Sequence, residues 1–284
     1  MKDNSIELQE KINNVLIRKK LGWTYGIDKL DDLAGRMEVG QVITLGGFSG
    51  TGKSYFVLNM INGIRKEWLE NLNTDLVPPN IAVFTTEMEQ IAYEQRHICM
   101  NAGIYWNNYL RNPELHYDKI QKSFDDYYAN KFVEPNFLQI FQVLSLEDIE
   151  KTLENVTIKP NIVFIDHVQN LSVNGKSDNK DTMPIIGNRV REIAKKFNVA
   201  LIVVSQVNIS SLTKENNPKH SSVQPFSWGK ELLQSSHTAI FISRSINEGV
   251  VEPTIQVGII KCRDGNKGWF EMYVNDGFNL LPIT

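Results

Sequence analysis

The stretch Gly47-Phe48-Ser49-Gly50-Thr51-Gly52-Lys53-Ser54 constrains this chain more than any other. It follows an apolar run and opens a helical pattern, so strand, tight loop and helix must succeed one another here. The glycines let successive backbone N–H groups turn inward around phosphate oxygens, and the helix N-terminus adds its dipole. Lys53 then reaches the β- and γ-phosphates of a nucleoside triphosphate, and the Ser54 hydroxyl ligates Mg²⁺. Such a pattern arises by chance in roughly one chain of this length per hundred. With a strand before it and a helix after it, a plain glycine-rich turn no longer competes.

A loop of this kind needs a parallel α/β sheet around it, and the rest of the pattern provides one. Nearly continuous apolar runs predict strands at Gln41–Leu45, Ile81–Thr85, Phe137–Phe141, Ile162–Ile165 and Ala200–Val204, each covered on both faces. Helical periodicity fits Lys53–Lys66, Glu89–Ala102, Leu146–Glu154 and Pro184–Phe197. After Thr238 the alternation changes, and Ala239–Ile242, Thr254–Lys261 and Trp269–Val274 read as consecutive antiparallel strands joined by tight turns. Residues 5–18 place Leu8, Ile12, Val15 and Leu16 on one helical face, which packs on its own domain or docks on a neighbouring subunit. The domain expectation is an extension over 1–20 and one ATPase-type domain over 21–284.

Composition narrows the setting. No run of about eighteen apolar residues exists, so no membrane span is expected, and Met1–Glu10 lacks the apolar stretch of a secretory signal. The two cysteines, Cys99 and Cys262, lack metal-site spacing, which points weakly to a reduced, cytoplasmic compartment of a bacterium or phage-infected host. A net charge of -3 argues against a simple basic nucleic-acid module, although an assembly can concentrate lysines on an inner surface.

Three strand ends carry groups that turn binding into hydrolysis. Val163-Phe164-Ile165-Asp166 ends in a carboxylate placed to hold the metal's hydration shell, or one that merely closes a strand. His167 reads as a neighbour of that site rather than a ligand. Glu87 follows Ile81–Thr86 and either polarises an attacking water or caps the helix beginning near Glu89. Gln206 closes Leu201–Ser205, facing the γ-phosphate or standing as a surface amide. Glu, Asp and Gln in that chain order say more together than any one alone.

The whole pattern resembles the DnaB-type replicative helicases of the RecA superfamily, over nearly all the chain after residue 22. Gly26-Ile27-Asp28-Lys29-Leu30-Asp31, with Gly35 and Gly40, resembles the entry to these ATPase domains. Glu87-Met88 with Arg96 is similar to their glutamate helix, and Ser205-Gln206-Val207-Asn208 to their sensor segment. Lys261-Cys262-Arg263-Asp264-Gly265, with Gly268, resembles the Lys-x-Arg hairpin that they insert into a neighbour's ATP site.

The resemblance implies a RecA-like fold, a mostly parallel twisted sheet flanked by helices with antiparallel C-terminal strands, and ATP with Mg²⁺ as cofactors. It also implies roles. Arg263 is the arginine finger acting in trans with Lys261 beside it, Gln206 is the γ-phosphate sensor, and Arg244 stacks on the base. Without that resemblance, Lys261 and Arg263 read as an ordinary solvated hairpin edge. Two loops, Asn170–Asp181 and Val207–Phe226, are expected to line a channel for single-stranded DNA, with Lys176, Lys180, Lys214 and Lys219 available to phosphates.

Two departures from the family stand out. Pro225-Phe226-Ser227-Trp228-Gly229 replaces a segment that carries a phosphate-contacting arginine, and His237 stands where an acidic residue is usual. The family's separate N-terminal domain is expected to be absent, which leaves a minimal ring ATPase of phage or plasmid type. The activity expected is an ATP-driven helicase or translocase working as a hexameric ring, with a primase, loader or other replication protein as partner. The alternatives are a RecA-like recombinase or mediator filament, and a KaiC-like or loader-like regulatory ATPase.

Overall fold

The computed structural model describes residues 22–71, 78–133, 137–207, 230–244, 246–247 and 250–283, with Gln9 alone before them. Residues 130–133, 179–180, 230, 246–247 and 250 are described by their backbone. The remainder of the helix expected over 5–18 and the loop Val207–Phe226 beyond Val207 therefore lie outside the described residues.

The phosphate-loop region has the predicted order. Strand β1 (Val42–Gly47) runs into the loop, and helix α2 (Lys53–Glu70) leaves it. Before them comes α1 (Asp28–Ala34); after them come β2 (Ile81–Thr85), α3 (Gln90–Asn101), α4 (Trp106–Arg111) and α5 (Pro113–Val133). Then follow β3 (Leu138–Gln142), α6 (Leu146–Asn155), β4 (Ile162–Asp166), a 3₁₀ turn at Val168–Asn170, α7 (Asn179–Lys196) and β5 (Ala200–Gln206). The chain closes with α8 (Lys230–Ser235), β6 (Thr238–Ser243), a two-stranded ladder β7 (Ile246–Asn247) and β8 (Val250–Val251), then β9 (Thr254–Cys262), β10 (Gly268–Val274) and β11 (Leu280–Pro282).

Among the described residues nine strands form one sheet in the order β11-β10-β9-β6-β1-β5-β4-β2-β3. From β6 to β3 every pairing is parallel, and from β6 outward to β11 every pairing is antiparallel. β6 joins the two parts of the sheet. It begins the antiparallel C-terminal strands as expected, pairing with β9, and on its other side it lies parallel to β1, with Ile43 opposite Thr238 and Gly47 opposite Ile242. Its apolar run is the same whichever way its neighbour points, so pattern alone could not assign it.

Strand alternation divides the core into two layers. Ile43 and Leu45, Ile81 and Val83, and Ile202 and Val204 face a cluster built from α2, α3 and the segment 23–37. Val42, Ala82, Phe84, Val163, Ile165, Leu201 and Val203 face the opposite cluster, with α6, α7 and α8. Both faces are covered, which is why these strands are continuous apolar runs. The side chains of β1, β2 and β4 are fully buried along their length. β3, at the sheet edge, is only partly buried.

Two local features explain the entry and one helix start. A Cβ on Gly63 would sit 2.0 Å from the Gly26 carbonyl oxygen, so only a glycine pair lets α2 cross the segment before α1 at this distance. Helix α7 begins at Asn179, five residues ahead of the expected Pro184, which lies inside it. Its first turn is closed by Asp181 N and Thr182 N donating to Asp178 O at 3.0 and 2.9 Å. Proline removes one donor and does not stop a helix whose first turn is already secured. Residues 179–181, expected in a loop, therefore belong to this helix.

Candidate active site

β1 lies between β5 and β6, with chain connections departing to both sides, and a crevice opens at the carboxyl ends of the strands at such a switch point. The phosphate loop occupies it. Gly50 and Gly52 have φ of 75° and 90°, a left-handed conformation that strains any other residue. Gly52 caps α2 with no side-chain acceptor, so the first-turn N–H groups of an 18-residue helix are left for an anion. Ser49 and Gly50 are exposed at the tip, while Gly47, Thr51 and Lys53 are buried. Thr51 Oγ1 and Lys53 Nζ donate to Phe48 O at 2.9 and 2.8 Å. Burial lowers the Lys53 pKa, with Asp166 and Glu87 acting in the opposite direction.

Asp166 ends β4 and is 1% exposed. Neither of its carboxylate oxygens has a hydrogen-bond partner of ordinary alignment. Burial raises its pKa, and His167, the Ser54 hydroxyl and Lys53 lower it in that order, apart from an opposing effect of Glu87. A buried, unpartnered carboxylate beside a helix-first-turn hydroxyl fits a hydrated hard cation carried by phosphates. Among the described residues no group of three or more His, Cys, Asp or Glu forms a closed metal cage. Ser54 and Asp166 are the residues that would hold Mg²⁺ here.

Glu87 follows β2, and its side chain is 51% exposed. It does not cap α3, whose first residue is Gln90 and whose N-cap, Glu89, makes no side-chain cap. Instead its Oε1 accepts from Asn170 Nδ2 at 3.0 Å. His167 Nδ1 lies 3.5 Å from Glu87 Oε2 and 3.2 Å from Asp166 Oδ1, without hydrogen-bond alignment to either. Gln206 ends β5 opposite Gly47 of β1 and is exposed. Four of the expected residues, Lys53, Asp166, Glu87 and Gln206, thus stand on adjacent strand ends around one crevice.

Arg244 follows β6 on the same edge, since Ile242 is opposite Gly47. Its guanidinium donates to Glu252 O at 2.7 Å and lies 5.3 Å from the Phe278 ring centre. Phe278 stacks on Tyr55 at 4.4 Å and comes within 3.2 Å of the position a Cβ on Gly52 would take. Sequence reading missed Phe278 and Tyr55. The two are far apart in the chain, and no local pattern joins them. Asn59 of α2 brings them together, bonding Phe278 O and Leu280 N at 2.8 and 2.9 Å.

Lys261 and Arg263 sit elsewhere. β9 runs antiparallel to β6, so Cys262 is opposite Thr238 at the start of β6. Arg263 N donates to His237 O, and His237 N donates to Val42 O, at the beginning of β1. Val42 precedes Gly47 by five residues (47 − 42), which is roughly 16 Å along the sheet. Arg263 is exposed. Lys261 Nζ donates to Leu233 O and Gln234 O at 2.5 and 3.1 Å, in the last turn of α8. His237 Nδ1 accepts from Val42 N at 3.2 Å, tying β6 to β1.

Of the lysines expected at DNA, Lys176 is exposed in a turn and 4.0 Å from Asp181. Lys214, Lys219 and the Lys180 side chain lie outside the described residues, as does Pro225–Gly229. The loop after β4 is less free than expected, because Leu171 and Val173 are buried and Ser172 N donates to Leu144 O at 2.9 Å. A cavity of about 760 Å³ lies between the far ends of α2 and α3 and helix α5, away from the phosphate loop.

The family model described as the DnaB-like helicase C-terminal domain matches residues 22–280. The chain belongs to the DnaB-like helicase C-terminal domain family. Among solved structures it is similar to the ATPase domain of G40P, at 16% identity and TM-score 0.77 over 99% of this chain and 98% of that one. It is also similar to a DnaB-like replicative helicase whose interactions with primase were studied, at 16% identity and TM-score 0.78 over 100% of this chain and 67% of that one. At these identities the likeness is one of fold, the RecA-like sheet described above. No curated protein matches the chain. Within this DnaB-like domain no described helix is long and apolar enough to cross a membrane.

Proposed function

We propose that this DnaB-like chain is an ATP-driven helicase or translocase on single-stranded DNA, acting as a ring with its ATP sites between subunits. The observation that carries the reading is the position of Arg263. The phosphate loop is at the carboxyl edge of the sheet and Arg263 at the amino edge, roughly 16 Å away along the strands. No single side chain spans that gap, so Arg263 serves a neighbour's site or none. A surface that places the loop of one copy against the finger of the next is head-to-tail, and such contacts close into rings or continue as filaments. Family membership favours the ring.

In this reading Lys53 and the first-turn N–H groups of α2 hold the phosphates, and Ser54 with Asp166 holds Mg²⁺. Bound there, the metal neutralises charge on the phosphates. Glu87 takes the proton of the attacking water, Gln206 senses the γ-phosphate, and Arg244 with Phe278 frames the base. Arg263 from the neighbour, with Lys261 beside it, stabilises charge in the transition state, so hydrolysis requires assembly. DNA phosphates meet Lys176 and the lysines of the two loops. A primase or a loader is the partner class proposed.

The test combines mass measurement with fork unwinding. A ring mass with ATP and Mg²⁺, and unwinding without strand exchange, is the expected result. A helical filament that exchanges strands points to a recombinase. Full turnover by a monomer that ignores DNA overturns the proposal.

A further inference from the structure

β4 lies between β5 and β2 in the sheet, and its exit is the one-turn 3₁₀ segment Val168–Asn170. Consecutive side chains of this turn reach in opposite directions. Asn170 Nδ2 donates to Glu87 Oε1, beyond the end of β2, at 3.0 Å. Gln169 Nε2 donates to Ser205 Oγ and Gln206 O, at the end of β5, at 2.6 and 2.9 Å. The turn itself is anchored, because Val168 and Leu171 on either side are 0% and 1% exposed. Ser172, just after it, is held by Leu144 O.

We infer that this turn is a crossbar in which Asn170 positions the Glu87 carboxylate and Gln169 fixes the sensor end of β5 to the same rigid piece. The inference rests on the reading of Glu87 as the base. Glu87 is half exposed on a flexible side chain, so its orientation must come from a partner. An amide donor suits that role, because it holds Oε1 without supplying a proton that would neutralise the carboxylate, and it leaves Oε2 for water. Fixing a base within reach of its proton is an orientational gain, and small displacements there are costly in rate. Asn170 touches Glu87 and not the reacting phosphate, so it is a positioning residue. Gln169 carries the same register to Gln206, after which the chain enters residues 208–229.

Asn170 is exposed, so its variants should fold. Asn170→Ala is expected to lower kcat by about 10- to 100-fold while the Kd for ATP with Mg²⁺ stays within about twofold. In a Glu87→Gln background the same change should alter the residual single-turnover rate by less than about twofold, because it acts through Glu87. Gln169→Ala should slow turnover by about 3- to 10-fold and combine less than additively with Asn170→Ala. An Asn170→Ala enzyme with normal kcat, or one that slows Glu87→Gln by the same factor as wild type, overturns the inference alone. If Glu87→Gln itself turns over at the wild-type rate, the base assignment fails and the crossbar role fails with it.

Discussion

The two edges of the sheet treat charge in opposite ways. At the carboxyl edge, Asp166 is buried with no aligned hydrogen bond to either oxygen, and burial holds Lys53 below its ordinary pKa. At the amino edge, Lys261 is tied to two carbonyls of α8, His237 bonds the start of β1, and Arg36 forms a two-pronged pair with Glu67 at 2.7 Å. Unsatisfied buried charge destabilises a fold unless a ligand completes it. The first edge is therefore arranged for a ligand from solution. At the second, Lys261, His237 and Arg36 find their partners within the chain, while Arg263 is exposed toward another copy.

The sharpest way to break this contrast is to separate the edges onto different chains. Arg263→Ala should lower kcat by about 10³-fold or more with nucleotide binding nearly intact, and Lys53→Ala should abolish binding and turnover. Mixed in equal amounts, the two dead variants should recover activity at about a quarter of the sites, those pairing an intact loop with an intact finger. No recovery on mixing, or an Arg263→Ala enzyme with normal turnover, removes the trans role.

Next in size is Glu87. Glu87→Gln keeps the shape and removes the base, and should cost about 10²- to 10⁴-fold in kcat while ATP affinity persists. Equal loss of affinity would mean that Glu87 holds the nucleotide and not the water.

These tests also mark how far the sequence was readable. The placement of Lys53, Asp166 and Glu87 at one edge was legible because each follows a buried apolar run, and a parallel sheet gathers such ends together. The parallel pairing of β6 with β1 was not legible, since a run such as Ala239–Ile242 is buried equally beside a parallel or an antiparallel neighbour. Phe278, and the contact of Asn170 with Glu87 where a DNA-facing loop was expected to begin, escaped the sequence for another reason. Their partners, Gly52 and Glu87, are remote in sequence and are brought close only by Asn59 and by the turn after β4. The residue pattern gave Glu87 two readings, and the Asn170 hydrogen bond decides against the helix cap. Helices α4 and α5 went unassigned because Leu110, Leu115 and Tyr117 are exposed, and a helix without a buried stripe leaves little periodicity.

A third prediction concerns acid. His97 is buried at the far end of α3, its Nε2 shares a hydrogen bond with Asn62 Oδ1 at 2.7 Å, and burial lowers its pKa to about 4. The unfolded chain binds the extra proton first, so this residue's contribution to stability is intact above the ordinary histidine pKa and is lost as pH falls from about 6.5 toward 4. The loss at completion is on the order of 3 kcal/mol. Asp31 works in the other direction over part of that range, because burial raises its pKa to about 6. The measurement is therefore a difference, denaturant unfolding of wild type against His97→Asn across pH 4–8. Parallel curves would mean that His97 is not buried neutral.

A fourth returns to the catalytic edge. Asp166→Asn replaces a buried carboxylate, whose burial outweighs its neighbours, by a neutral group of the same shape, so the free protein should gain about 1 kcal/mol while Mg²⁺-dependent turnover is lost. For a domain of this size that is a rise in Tm of roughly 2–4 °C. A lower Tm would show that the carboxylate is satisfied in the free protein, and the contrast between the edges would weaken.

The smallest effect tests the other edge. Lys261→Met removes a cation from the last-turn carbonyls of α8 and leaves the aliphatic stem, so the isolated chain should lose about 0.3–1 kcal/mol. Burial, with Arg263 and Arg191 nearby, already lowers the Lys261 pKa, so the ammonium is held there against local repulsion. If that cap were its whole role, turnover by the assembled protein would hardly change. In the proposed ring Lys261 must also approach the neighbour's phosphates beside Arg263, and then kcat should fall about 10-fold or more despite the small loss in stability. Measuring both quantities on one variant separates the roles. A stability loss with unchanged kcat leaves Lys261 as a helix cap and Arg263 as the sole finger, whereas the double loss means that this edge too is rearranged when a neighbour's nucleotide arrives.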